Sequence, residues 1–202
     1  YKINLFGDKM ITSASNKKIK DIQKLKENKN IKKYGLYLIE GRHLVEEAIE
    51  ANVVEEIIIS ENYEEFSLIE AFSGEITRVS NSVMKNISDT ITSQGIIAIC
   101  KVVNKELEIN KYSKVLILDR IQDPGNLGTI IRTADAFDFD CIILGKGTTS
   151  LYGQKVIRST QGSNFHIDCF DNVELVKLLD EMSEFNIFAT SLRADKYIEQ
   201  LN

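Results

Sequence analysis

Val115-Leu116-Ile117-Leu118-Asp119-Arg120-Ile121-Gln122-Asp123-Pro124-Gly125-Asn126-Leu127-Gly128-Thr129-Ile130-Ile131-Arg132-Thr133-Ala134-Asp135-Ala136-Phe137 is the stretch on which the fold turns. It opens with an apolar run of strand length, breaks at Asp-Pro-Gly and resumes with helical periodicity. Asn126 is placed to cap that helix, and Leu127, Ile130, Ile131, Ala134 and Phe137 recur at helix spacing as its buried face. Gly128 lacks a side chain, so its turn can be approached closely. Arg132 follows one turn later, on the stripe that also carries Thr129 and Asp135. The single proline of the chain, Pro124, stands at the corner. A strand, a sharp corner and a polar helix start suit the carboxyl edge of an α/β sheet, where ligands bind. An ordinary strand–loop–helix joint has the same spacing, and both readings stay open on the residues alone.

Downstream, residues 141–145 read as a second buried strand and 146–150 as a polar loop. Residues 154–167 read as a short helix with Lys155 and Arg158 on one side, a glycine break and a strand. A helix over 173–184 and a strand over 187–190 complete this half. Neither Gly-x-Gly-x-x-Gly nor a Walker A pattern is completed, which disfavours a dinucleotide or nucleoside-triphosphate site. Six of the eleven glycines (Gly125, Gly128, Gly145, Gly147, Gly153 and Gly162) fall within this segment, where backbone must bend or meet a ligand.

Upstream, Asn16 caps a helix with Ile19, Ile22 and Leu25 on one face. Lys17, Lys18, Lys20, Lys24, Lys26, Lys29, Lys32 and Lys33 surround it. Such a run is either a solvated helix face or a phosphate-binding edge. Strands are predicted over 37–41, 53–59, 76–79 and 96–103. An amphipathic helix carrying Leu44, Val45, Ala48 and Ile49 falls between the first two, and helices over 64–72 and 82–86 follow. Strands alternating with helices make an α/β unit of residues 10–104. A polar, aperiodic linker over 105–114 joins it to a second unit over 115–202, with little contact expected between them. Residues 1–9 precede Met10 and read as an upstream extension.

Hydrophobic residues are 43% of the 202, charged residues 27%, and the formal net charge is −5, an ordinary globular balance whose basic residues are gathered in one place. No apolar run approaches membrane-spanning length. Cys100, Cys141 and Cys169 are odd in number and set in apolar runs, so buried thiols in a reducing cytoplasm are expected, with neither disulfides nor a metal site.

Residues 126–137, with Asp123-Pro124-Gly125 before them, resemble motif 1 of the SpoU (TrmH) family of RNA 2′-O-ribose methyltransferases, within the SPOUT superfamily. Lys155-Val156-Ile157-Arg158-Ser159 through Gly162 and Phe165-His166 is similar to motif 2. Leu38-Ile39-Glu40-Gly41-Arg42 and the helix after it resemble the family's amino-terminal, L30e-like substrate-binding domain. The resemblance implies a trefoil-knotted α/β domain that binds S-adenosylmethionine, a homodimer, and a ribose 2′-hydroxyl of RNA as substrate, ribosomal more than transfer RNA.

It also implies a catalytic role for Arg132, in which Asn126 shares, and a cofactor loop at Thr190, Ser191 and Leu192. Guanidinium is a poor base, so Arg132 suits lowering the hydroxyl's pKa and clamping phosphate. Lys17, Lys18, Arg42, Lys155 and Arg158 are the candidate RNA contacts. His43 and His166 have no spacing to a nucleophile and read as structural. The family's motif 3, a Gly-Asn-Glu-Gly stretch with a final helix, is expected after 189–193 and does not occur before Asn202. On that reading the 202-residue chain is a truncated form that does not turn over. A second class of function stays open: a non-catalytic RNA-binding module in which the L30e-like half does the work.

Overall fold

The computed structural model describes residues 10–70, 72–191, 193–194 and 200. Lys17–Lys24 (α1) and Asn28–Tyr34 (α2) lead into Leu36–Glu40 (β1), Arg42–Glu50 (α3) and Val54–Ser60 (β2). Phe66–Glu70 (α4), Glu75–Val79 (β3), Asn81–Ile87 (α5) and Ile96–Lys101 (β4) follow. After a 3₁₀ turn at Ile109–Lys111 come Val115–Leu118 (β5), Pro124–Ala136 (α6) and Cys141–Gly145 (β6). Gln154–Thr160 (α7), a 3₁₀ turn at Ser163–Phe165, Asp168–Val173 (β7) and Leu175–Glu181 (α8) complete the order.

The first four strands form one sheet in the order β1-β4-β2-β3, with only the β2–β3 pair parallel. Strand alternation splits its side chains between two layers. Leu38, Ile58, Ile97 and Ile99 pack with Ile19 and Ile22 of α1 and with Val83, Met84 and Ile87 of α5. Tyr37, Ile39, Ile57, Ile59, Ile96 and Ala98 pack instead with Val45 and Ala48 of α3 and Leu68 and Ile69 of α4. Coverage on both faces explains why β4 reads as a continuous apolar run. The second sheet, β5-β6-β7, is all parallel. Its Ile142 and Leu144 meet α6 and α7, while Cys141, Ile143 and Phe170 meet Leu178 of α8 and Ile109.

Several expectations need correction. The strand expected over 187–190 is absent; Ile187 and Phe188 are 50% and 61% exposed, with no ladder beside them to pair their backbone. The helix expected from residue 173 starts at Leu175, because Val173 still pairs with Gly145. A second basic helix, α2, follows α1 and ends at Gly35 in the left-handed conformation. Residues 105–114 are no free tether: Ile109 is buried against the second sheet, and Tyr112 donates its hydroxyl to Asp168 at 2.8 Å. The extension read into residues 1–9 lies outside the described residues.

The expectation of little contact between the halves is also overturned. On α7, Val156 belongs to the second core and its neighbour Ile157 to the first. Successive residues point about 100° apart on a helix, so one short helix can serve two cores. The ring of Tyr152 lies 4.7 Å from that of Tyr37, and its hydroxyl donates to the Val103 carbonyl at 3.3 Å.

Cys100 and Cys141 are buried and Cys169 half-buried, all three as free thiols. Burial pushes Cys141 and Cys169 up to about 12.

At the end of β1, the buried Glu40 carboxylate gathers the loop after α5. It accepts from the hydroxyls of Ser88 and Thr90 and from the Asp89 amide at 2.8 Å. Burial pushes this carboxyl up, but the donors from Ser88, Thr90 and Asp89 outweigh it and hold the group below the ordinary carboxylate value. A depressed folded-state pKa means stability fully present above the ordinary value and lost as pH falls through the depressed one. Glu40→Gln is therefore expected to cost about 1–3 kcal/mol at neutral pH and to flatten the acid limb of Tm against pH. An unchanged acid limb in the melting series would show that Glu40 does not carry it.

Candidate functional site

The carboxyl end of β5 and the start of α6 border a groove of about 420 Å³ lined by Arg120, Ile121, Gln122, Asp123, Asn126, Thr129 and Ile130. Its floor is tied by backbone. The Thr149 amide donates to the Ile121 carbonyl at 2.8 Å, and the Gln122 side-chain amide donates to the Gly147 carbonyl. Gly147 sits at φ +90°, and a Cβ there would lie 3.2 Å from Cγ of Arg120, which itself has φ +53°. The loop crossing at this edge thus depends on a glycine.

Helix α6 is capped by Asp123, whose carboxylate accepts from the Asn126 amide at 2.7 Å, and Pro124 takes the first turn. Asn126 is therefore not the cap, as the spacing suggested. A proline fits where a helix has no use for an N–H, so the cap falls just before it. Released from capping, the Asn126 side chain lines the groove. Gly128 faces α7: a Cβ there would lie 2.8 Å from the Val156 carbonyl oxygen and 2.9 Å from the Ser159 carbonyl carbon. What approaches this glycine is α7, with Ser159 Cβ nearest to the added carbon. Leu127, Ile131 and Ala134 are buried, whereas Arg132 is exposed. Among the described residues the Arg132 side chain makes no hydrogen bond or ion pair, and its helical neighbour Asp135 lies by His166 instead.

The other predicted cations are mostly engaged. Lys18 pairs with Glu56 at 2.7 Å and Glu75 at 2.6 Å, Arg42 with Glu65 at 2.7 Å, Arg158 with Asp89, and Lys155 with Asp123 at 3.9 Å. Lys155 thereby stands at the groove's rim beside the start of α6. Lys17, Lys18 and Arg42 lie on the first half, away from it. Exposed pairs such as that of Lys155 are worth about 0–1 kcal/mol and exchange readily for a phosphate. Lys18 is different. Burial lowers its pKa, but hydrogen bonds to Glu56 and Glu75 outweigh this and raise it, and the Glu56 side chain is only 12% exposed. Lys17→Ala is therefore expected to leave Tm unchanged. Lys18→Ala should lower Tm by leaving Glu56 unpaired, and equal behaviour of the two would refute the distinction.

Thr190 and Ser191 are exposed and do not line the groove; Leu192 lies outside the described residues. Gln122 and Asp123 were missed as site residues. An acidic residue just before the proline was the available signal for Asp123.

Residues 16–98 match the MRM3-like substrate binding domain, and residues 113–201 match the SpoU rRNA Methylase family. Over 160 residues the chain is 42% identical to the 23S rRNA (guanosine(2553)-2′-O)-methyltransferase RlmP of Bacillus subtilis, covering 79% of this chain and 63% of that protein. It is 32% identical over 152 residues to the mitochondrial rRNA methyltransferase 3A of Danio rerio, covering 70% of this chain and 35% of that one. The chain thus spans less than two thirds of either relative. An rRNA methyltransferase structure from Sinorhizobium meliloti superposes with a TM-score of 0.77 at 27% identity, over 85% of this chain and 68% of that one. An AdoMet-bound rRNA methyltransferase from the same organism gives 0.74 at 26% identity, over 87% and 69%. Fold and groove define a two-part α/β protein with an open cleft at the edge of its parallel sheet. The chain carries a domain of the SpoU rRNA Methylase family over residues 113–201, preceded by one of the MRM3-like substrate-binding type over residues 16–98.

Proposed function

We propose that the protein methylates a ribose 2′-hydroxyl of RNA, ribosomal RNA before transfer RNA, using S-adenosylmethionine. The observation that carries this reading is the exposed, unpaired Arg132 one turn beyond the Asn126 groove. The amides of Gln122 and Asn126, the Asp123 carboxylate and the flanking Ile121 and Ile130 form a donor set that fits a cationic sulfonium nucleoside. Gln122, Asp123 and Asn126 would hold it. When bound, that group supplies an electrophilic methyl.

The chain's own part is orientation and charge. Arg132 clamps the phosphate next to the target ribose and stabilises the alkoxide as its proton leaves to solvent or phosphate. Asn126 fixes the hydroxyl in line. Lys155, Arg158 and Lys17 give phosphate contacts, and the unit of residues 10–104 selects the RNA for the unit of 115–202. The work is done in the cytoplasm as a homodimer, with the exposed apolar Val176, Leu179, Ile187 and Phe188 suited to a subunit face.

Labelled methyl transfer by the intact protein to ribosomal and transfer RNA, with the product digested to nucleosides, tests this. A 2′-O-methylated nucleoside from ribosomal RNA is expected. RNA binding with no incorporation would overturn the enzyme reading in favour of a binding module.

A further inference from the structure

The two histidines of this chain meet on one carboxylate across the boundary between the two sheets. Glu47 of α3 lies 2.7 Å from His166 Nε2 and 3.8 Å from His43 Nδ1. Its side chain is only 19% exposed. Gly162, at φ +99°, brings backbone against it: a Cβ there would lie 3.0 Å from Glu47 Cγ. His43 Nε2 is 3.1 Å from the Gln161 carbonyl. The second nitrogen of His166, Nδ1, is 3.5 Å from the Asp135 carboxylate on α6. Asp135 stands three residues after Arg132, and a carboxylate and a guanidinium at that spacing on a helix ordinarily attract each other. Here the carboxylate is turned to the imidazole instead.

We propose that Glu47, reaching over from the substrate-binding half, holds His166 so that it keeps Asp135 away from Arg132, which makes Glu47 and His166 positioning residues for the group that grips RNA. The inference rests on the role given to Arg132 above. With both ring nitrogens protonated, His166 donates to Glu47 and Asp135 together. A neutral ring donates to one and turns a lone pair on the other. The hydrogen bond that His166 donates to Glu47, opposed by partial burial and helped by the charges of Glu47 and Asp135, raises the His166 pKa above its ordinary value. The charged groups facing this ring are Glu47 from α3 and Asp135 from α6, while His43 shares Glu47 and meets the Gln161 carbonyl. As pH rises through the raised value, Asp135 is released to Arg132 and the hold on RNA weakens.

The test is steady-state methylation with the intact protein, RNA concentration varied, at pH values from about 6 to 9. His166→Gln and Glu47→Gln should each raise KM for RNA about two- to fivefold with a smaller change in kcat. Adding Asp135→Asn to either should return KM to that of Asp135→Asn alone, because no carboxylate is left to capture Arg132. KM of the wild type should climb with pH, and that of Asp135→Asn should not. A double variant as impaired as its single parent would overturn the relay and leave a structural contact, as would an unaltered KM in His166→Gln. Arg132→Ala, run alongside, separates the two layers. Full activity there removes the underlying reading, whereas lost activity there together with no rescue of His166→Gln by Asp135→Asn removes the relay alone.

Discussion

Arg132→Ala in the intact protein is expected to lower kcat about 10²–10³-fold while leaving the fold in place, the range found when one charge-stabilising donor is removed from an active site. The side chain is exposed and touches no partner among the described residues, so its loss opens no cavity and orphans no charge. The change in stability should stay within about 0.5 kcal/mol. Arg132→Lys should recover little, since a point charge cannot reproduce a planar fork that meets phosphate and ribose oxygen together. Cofactor affinity by calorimetry should be unmoved, because Arg132 lies outside the groove lining. Retained methyl transfer would remove the residue from the mechanism. Lost transfer accompanied by a collapsed Tm would mark it as structural.

Gly128→Ala should do the opposite: damage the fold first and activity as a result. The added methyl would lie 2.8 Å from a main-chain oxygen of α7 and 2.9 Å from a main-chain carbon, and neither can swing aside as a side-chain tip can. Helices α6 and α7 must part, at a cost of about 1–3 kcal/mol. For a protein of this size that is a fall in Tm of roughly 2–12 °C. Ser159→Gly in the same chain should restore only part of it, since the Val156 carbonyl remains in the way. An undiminished Tm would mean that the two helices are free to separate.

The main outline was legible in the sequence because it rests on local periodicity. The run 115–118, the Leu127, Ile131 and Ala134 face of α6 and the continuous apolar run of β4 each declare themselves within a few residues, although Phe137, read into the same face, is exposed. Asn16 caps α1 as its side-chain chemistry suggests. What failed depended on partners distant in the chain. Ile187-Phe188 has the composition of a strand, but a strand exists only where another backbone pairs with it. Lys18 belongs to a basic run, yet Glu56 and Glu75 neutralise it from two strands of the neighbouring sheet. Asn126 and Asp123 are both good caps, and the proline between them decides which is used. At the site, Arg132 could be singled out only through its motif. No spacing announced that His166 would draw Asp135 off it.

Helix α7 lies after residue 114 in the chain, yet its Ile157 fills the interior of the first sheet, and Tyr152 packs at a tilt against Tyr37. The covalent division of this molecule and its physical seam therefore run along different lines. Cutting the backbone between residues 105 and 114 would strip one half of an interior side chain and leave the other with a bare apolar knob. Neither piece should behave as the corresponding half of the whole. Denaturant should accordingly melt both sheets in a single transition, with recognition and chemistry gained or lost together.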